Sequence, residues 1–130
     1  MPFKPNPAGM AALKQHLTAR ALNGAQAGAE TLRDKLGQEG SGVQYAGQPN
    51  RSSRPGEYPA RQTGDLQGSV TALPDGERRA VFGPLDNPPP EAYYMQILPP
   101  DMGGRDYMGL AYADEDIRRA VLEGVKRENG

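Results

Sequence analysis

The sequence predicts an α+β fold: a long N-terminal helix, a small antiparallel sheet made from one hairpin, and a C-terminal helix, joined by long loops. Three observations predict it. Apolar or small residues recur every three or four positions from Met10 to Leu36, which is helical periodicity. Two short apolar runs flank Pro74-Asp75-Gly76-Glu77, a sequence of the kind that joins hairpin strands. The 17 Gly and 13 Pro among 130 residues leave room for few other regular elements. That length suits one domain, 1–130. With only 36% hydrophobic residues, the core of that domain must be thin.

The elements follow in order. Residues 1–7 are Pro-rich and are expected to form an extended arm. Asn6-Pro7 reads as a helix start, with Asn at the cap and Pro at the first helical position. Met10, Leu13, Leu17, Ala21, Ala25, Ala29, Leu32 and Leu36 then mark one face, and Gly37 and Gly40 supply the stop. The middle of this helix, 23–29, has little side chain to bury. Either another backbone packs closely there, such as a neighbouring subunit's, or the helix interior is loose or kinked.

Residues 37–62 form a long connection, with a short strand expected over 43–46. Thr63-Gly64-Asp65-Leu66 reads as a capped turn. Strands are expected over 69–73 and 78–83, and Pro84–Pro90 as a rigid loop. Residues 91–98 fit a short helix or a strand equally. Residues 99–113 read as a loop rich in Met, Tyr and Gly. Asp114 caps the last helix, with Glu115 and Asp116 in its first turn and Ile117, Val121 and Val125 as its apolar stripe.

The charges nearly cancel, with 15 Lys+Arg against 16 Asp+Glu, so the chain lacks the basic excess of a dedicated nucleic-acid binder. Residues 1–65 are more basic than 66–130, a polarity that suits head-to-tail contact between identical copies. There is no Cys, which excludes disulfides, thiolate metal sites and Cys nucleophiles. No apolar run is long enough to cross a membrane. His16 stands alone on the long helix without metal-ligating or catalytic companions. The acids at 114–116 suit a helix start without a metal. The glycines at 37–42 and 103–109 match no phosphate-binding pattern, and no nucleophile motif is present. The expectation is therefore no enzyme, no cofactor and no metal.

The loops carry the remaining signals. Arg51, Arg54 and Arg61 interleave with Tyr45 and Tyr58, so this loop could touch phosphate and stack a base, or contact another protein. Met102, Tyr107, Met108 and Tyr112 offer adaptable apolar area near Arg105, suited to an interface or to filling the core.

The run from Ser53 to Val70 resembles a known pattern. Ser53-Arg54-Pro55-Gly56-Glu57-Tyr58-Pro59, followed by Thr63-Gly64-Asp65-Leu66-Gln67-Gly68-Ser69-Val70, is similar to a motif of tail-completion and head–tail joining proteins from long-tailed double-stranded DNA phages. The order of a long helix, the motif, a hairpin, Tyr93-Tyr94, the Gly104-Arg105-Asp106-Tyr107 loop and a closing helix is also similar. Gln96-Ile97-Leu98-Pro99 stands where that family has a Glu-x-Gly-Thr element, and Arg105-Asp106-Tyr107 where an Arg-Pro-Phe-like element is expected.

The resemblance implies a structural virion protein that forms a homo-oligomeric ring, six-fold, at the head–tail junction. Such a ring would contact neighbouring neck and tail-tube proteins and let DNA pass through its lumen without reading sequence. The loops 47–62 and 99–112 are the expected contact segments, with Pro55, Gly56, Thr63, Gly64 and Leu66 shaping the turns. The alternative is a small nucleic-acid-binding protein that uses the Arg-bearing loop.

Overall fold

The computed structural model describes residues 6–48, 50–54, 56–61, 64–99, 101 and 104–127. Five helices and one hairpin follow in the order α1 (Pro7–Leu36), α2 (Asp65–Ser69), β1 (Val70–Pro74), β2 (Ala80–Pro84), α3 (Glu91–Ile97), α4 (Tyr107–Ala113) and α5 (Glu115–Lys126). The α+β class expected from the sequence is the class observed.

α1 begins and ends where its signals stand. The Asn6 side chain accepts from the Gly9 N–H at 3.1 Å, Pro7 opens the first turn, and Gly37 closes the last. Thirty residues make a rod about 45 Å long. α5 runs antiparallel along it. Asp116, at its start, bonds Lys35, while the carbonyl of Lys126, at its end, lies 3.5 Å from Arg20 Nη2.

The small-residue middle of α1 is the bed for α5. A Cβ on Gly24 would lie 2.6 Å from Val125 Cγ2, and one on Gly28 would lie 2.8 Å from both Phe82 and Val121. The fit is reciprocal: a Cβ on Gly124 would stand 2.6 Å from the Asn23 carbonyl and 2.9 Å from Gly24 Cα. The close backbone approach that the sequence allowed for is therefore made within the subunit, between α1 and α5. Below the crossing, Ala29, Leu32 and Leu36 of α1 meet Val70, Tyr107, Ala111 and Ile117 in one buried cluster. Burying each of the larger of these side chains contributes roughly 1.5–3 kcal/mol.

Several boundaries depart from expectation for physical reasons. Residues 43–46 form no strand. The neighbouring backbone pairs instead, Gly42 N–H to Ser52 O at 2.8 Å and Ser52 N–H to Val43 O at 3.0 Å, and a turn at 45–48 ends that pairing. The capped turn at 63–66 becomes the one-turn helix α2, with Gly64 at its cap in the left-handed region (φ 86°). Thr63 lies outside the described residues. Ser69 stays helical because its hydroxyl bonds Leu66 O, so β1 starts at Val70.

The returning strand starts at Ala80, not at 78, because Arg78 sits in the turn with φ 60° and cannot extend a strand. β1 and β2 pair antiparallel in register Val70↔Pro84 through Pro74↔Ala80. Residues 91–98 resolve as helix α3. The loop expected over 99–113 contains helix α4: the Asp106 carboxylate accepts from the Gly109 N–H at 2.9 Å, and the Tyr107 ring anchors the first turn in the core. The extended arm expected over 1–7 lies outside the described residues up to position 5.

The crossing gives a direct prediction. Gly124→Ala should lower stability by about 1–3 kcal/mol, because backbone of α1 blocks the added carbon. Gly68→Ala in α2 meets nothing within 4 Å and should be neutral or stabilise by up to about 1 kcal/mol. Urea unfolding of both variants checks the pair; equal midpoints would mean that the helices do not touch at Gly124.

Candidate interaction surface

Charge and hydrogen bonds hold much of the long connection at 37–64, and Tyr58 and buried Pro59 are where it meets the interior. Glu57 is its hub. One carboxylate oxygen, Oε1, accepts from the Arg54 N–H at 2.6 Å and from the Ser41 hydroxyl at 2.7 Å. These donors, the Arg54 N–H first, hold the Glu57 carboxyl below its ordinary value. Gly56, at φ 86°, provides the turn that lets Glu57 fold back on Arg54. Pro55 lies outside the described residues.

The structure brings Arg51, Arg54 and Arg105 to one open cleft of about 880 Å³, which Tyr45, Val43, Met95 and Asp101 also line. Arg105 is part of the framework there. Its Nε donates to Ser53 Oγ and its Nη2 to the Ser53 carbonyl, both at 2.8 Å, and its Nη1 to the Gly104 carbonyl at 2.6 Å. The side chain thus ties the loop before α4 to the loop that carries the Arg residues. Arg51 and Arg54 are exposed. Arg61 sits in a different groove, with its Nε donating to Gln67 Oε1 at 3.1 Å, so the three loop Arg residues do not form one patch.

The other candidates separate cleanly. Tyr107 is only 1% exposed, and its hydroxyl donates to the Ala92 carbonyl at 2.6 Å. Its place in the core removes it as a contact residue of a free loop. Met108 is half-buried against the same core, and Leu66 packs there too. Tyr112 is 79% exposed, with the Arg118 guanidinium 5.4 Å from its ring centroid. Met102 lies outside the described residues. His16 is exposed on α1. Among the described residues no group of three or more His, Cys, Asp or Glu side chains is placed to hold a metal ion, and no helix is long and apolar enough to cross a membrane.

Tyr58 does a job that the sequence did not suggest. Its hydroxyl donates to Asp114 Oδ2 at 2.7 Å, and Lys35 Nζ lies 3.7 Å from the same oxygen and 2.8 Å from Asp116 Oδ2. Asp114 meanwhile caps α5 through the N–H groups of Asp116 and Ile117. This clamp joins the Arg-bearing loop, the end of α1 and the start of α5. Partial burial pushes the Asp114 carboxyl up, but the Tyr58 phenol, the two N–H groups and Lys35 together hold it below its ordinary value. Burial first, then Asp114, pushes the Tyr58 phenol well above its ordinary value. The bond to Asp116, opposed by desolvation and helped by the charge of Asp114, raises Lys35.

A second feature missed by the sequence is the amount of exposed apolar surface. Met10, Leu13 and Leu17 lie open on the N-terminal half of α1, and Tyr93, Tyr94 and Ile97 lie open on α3. Helical spacing placed Met10, Leu13 and Leu17 on one face, while 91–98 fits a helix or a strand equally. The spacing did not show that these side chains stay exposed. Comparisons of the chain with protein-family models, with curated proteins and with solved structures find no match.

The clamp has two pH limits. Asp114 has a depressed pKa, so its contribution is fully present above the ordinary value of 3.8 and is lost as pH falls through the lower, folded value. Tyr58 has a raised pKa, so its contribution is fully present below the ordinary value of 10.0 and is lost as pH rises toward the folded value. Tyr58→Phe should flatten the alkaline loss and cost about 1 kcal/mol at neutral pH, after discounting for partial exposure. Urea midpoints measured across pH check this; an unchanged alkaline limb would remove Tyr58 from the clamp. Tyr107→Phe should cost about 1–3 kcal/mol at every pH, by orphaning the Ala92 carbonyl.

Proposed function

We propose that the chain is a structural subunit of a tailed-phage or phage-like virion, one copy of a ring at the head–tail junction. In this reading the ring joins head to tail, contacts neighbouring neck and tail-tube proteins, and passes DNA through its lumen. The observation that supports it best is an imbalance of burial. Among the described residues five side chains larger than Ala are buried hydrophobics: Leu32, Leu36, Val70, Tyr107 and Ile117. Fourteen large hydrophobics are exposed, from Met10 on α1 to Leu122 on α5. A monomer that kept so much apolar area in water would be at odds with its own solubility, whereas a ring subunit covers it on assembly.

The pattern of exposure also suits a ring. The open apolar residues are spread over several elements, among them α1, the hairpin, α3 and α5. Contacts through unlike faces close into a ring by rotation, as head-to-tail contacts do. The two strands form a sheet of only two, which is marginal alone and leaves both edges without a neighbour among the described residues. The cross-braced loop with Arg51 and Arg54 at its rim adds polar contact area of the kind found around an apolar interface core.

Light scattering of the purified protein over a concentration series tests the reading. A discrete ring mass, or a monomer converted to one by virion partners, is the expected result. The double variant Tyr93→Ser, Ile97→Ser should then lower the ring fraction while leaving the unfolding midpoint near that of the parent, because both side chains are exposed in the subunit. A protein that remains a monomer with every virion partner, but gains mass with DNA through Arg51 and Arg54, would favour the nucleic-acid alternative.

A further inference from the structure

One end of the molecule gathers positive charge from three elements. The hairpin and α5 both run along α1 toward its N-terminal half. The Arg78 N–H donates to Thr18 Oγ1 at 2.8 Å, Lys14 Nζ lies 3.7 Å from Glu77 Oε2, and Arg20 Nη2 reaches toward the Lys126 carbonyl at 3.5 Å. These tethers bring Lys14, Arg20, Arg78, Arg79, Lys126 and Arg127 around less than two turns of one helix. Among the described residues the acids at this end are Asp75 and Glu77 on the turn and Glu123 on α5, and Glu128 follows Arg127 in the sequence. Asp75 and Glu77 are engaged by Arg79 and Lys14. Arg20, Arg78, Lys126 and Arg127 have no carboxylate partner among the described residues. No acid precedes Glu30 in the chain, so α1 adds none here.

The backbone at Arg78 makes the surplus more telling. Its φ of 60° lies in the left-handed region, which favours Gly or Asn over a long side chain. The turn uses only the Arg78 N–H, which a glycine would supply equally well. The guanidinium is exposed and makes no bond among the described residues. The fold therefore holds a strained residue for a side chain that it does not itself use, and strain of this sort concentrates at functional positions.

We propose that this end of the subunit faces duplex DNA and contacts its phosphate backbone without reading sequence. The inference rests on the ring reading, in which DNA passes through the lumen, and adds which surface meets it. The cations are spread over a turn, a helix face and a helix end. That distribution suits a polyanion with a charge about every 1.7 Å better than it suits a single carboxylate. The surface is separate from the Arg51–Arg54 cleft, which lies beside α3 and the loop before α4.

The test is anisotropy of a labelled duplex against the full chain, from low to moderate salt, with light scattering run on the same samples. The parent protein should bind at low salt, with a steep salt slope. The variant Arg78→Ala, Arg79→Ala, Lys126→Ala, Arg127→Ala should flatten that slope by about three to four while keeping the parent's oligomeric mass. Arg78→Gly should raise the unfolding midpoint, because glycine fits the turn, and yet weaken DNA binding; a purely structural role for Arg78 cannot move the two in opposite directions. Arg51→Ala, Arg54→Ala, Arg61→Ala should leave the slope unchanged. No binding by the parent at low salt overturns the proposal, as does a slope lost in the loop variant and kept in the tip variant. A parent that binds DNA through the tip yet never forms a ring keeps this surface and removes the ring reading.

Discussion

The structure depends on a backbone-to-backbone crossing. Gly24 and Gly28 of α1 and Gly124 of α5 carry no side chains, so the two helices approach until Val121, Val125 and Phe82 fill the space directly over the glycines. Each interior Gly costs about 1 kcal/mol of helix propensity against Ala. That cost is offset because dispersion contacts fall off steeply with distance, so a close approach recovers packing that so few large apolar residues could not otherwise supply. The crossing also fixes where the ends of α5 fall. Its start is delivered to Lys35 and the Tyr58 clamp, and its end to Arg20.

From that constraint the rest of the architecture follows. The buried cluster lies below the crossing, where Leu32 and Leu36 face Val70, Tyr107 and Ile117. It anchors the long connection at 37–64 through Tyr58, and polar groups order much of the rest. Glu57 gathers Arg54 and Ser41, Arg105 gathers Ser53 and Gly104, and Gln67 Nε2 donates to the Arg33 carbonyl while its Oε1 accepts from Arg61. Hydrogen bonds that are partly exposed contribute little each, and charged ones somewhat more. A loop held this way keeps its course only while most of its braces are made. That suits a surface whose final partners lie outside the subunit.

The sequence disclosed what is local and concealed what is tertiary. Asn6-Pro7, Gly37 and Asp114 act through neighbours within four residues, so the bounds of α1 and the start of α5 were legible. The hairpin turn was legible in place but not in length, because nothing in Glu77-Arg78-Arg79 signals a positive φ at an arginine. α4 was missed because the Met- and Gly-rich run around it read as loop, although Asp106 was a usable cap signal three residues before Gly109. Among the candidate contacts, Arg51, Arg54 and Tyr112 proved exposed. Tyr107 proved to be core, since only the fold brings the Ala92 carbonyl to its hydroxyl. The Tyr58–Asp114 bond spans 56 positions, and no local rule could find it.

The two ends of the molecule handle charge differently. At the loop end, Lys35 sits between Asp114 and Asp116 and Glu57 is wrapped by donors, and these groups hold the chain in place while Arg51 and Arg54 stay exposed at the rim of the cleft. At the hairpin end, four of six cations have no carboxylate partner among the described residues, and one of them occupies a backbone position that resists it. Self-repulsion there is a cost that the subunit carries alone. In the proposed ring, each copy would meet that cost and recover it on contact with DNA, because each phosphate contact releases condensed counterions. The same release explains why the surplus need not appear in the whole-chain charge of −1: what counts is the sign of the surface that the polyanion meets, not the sum over residues that it never approaches.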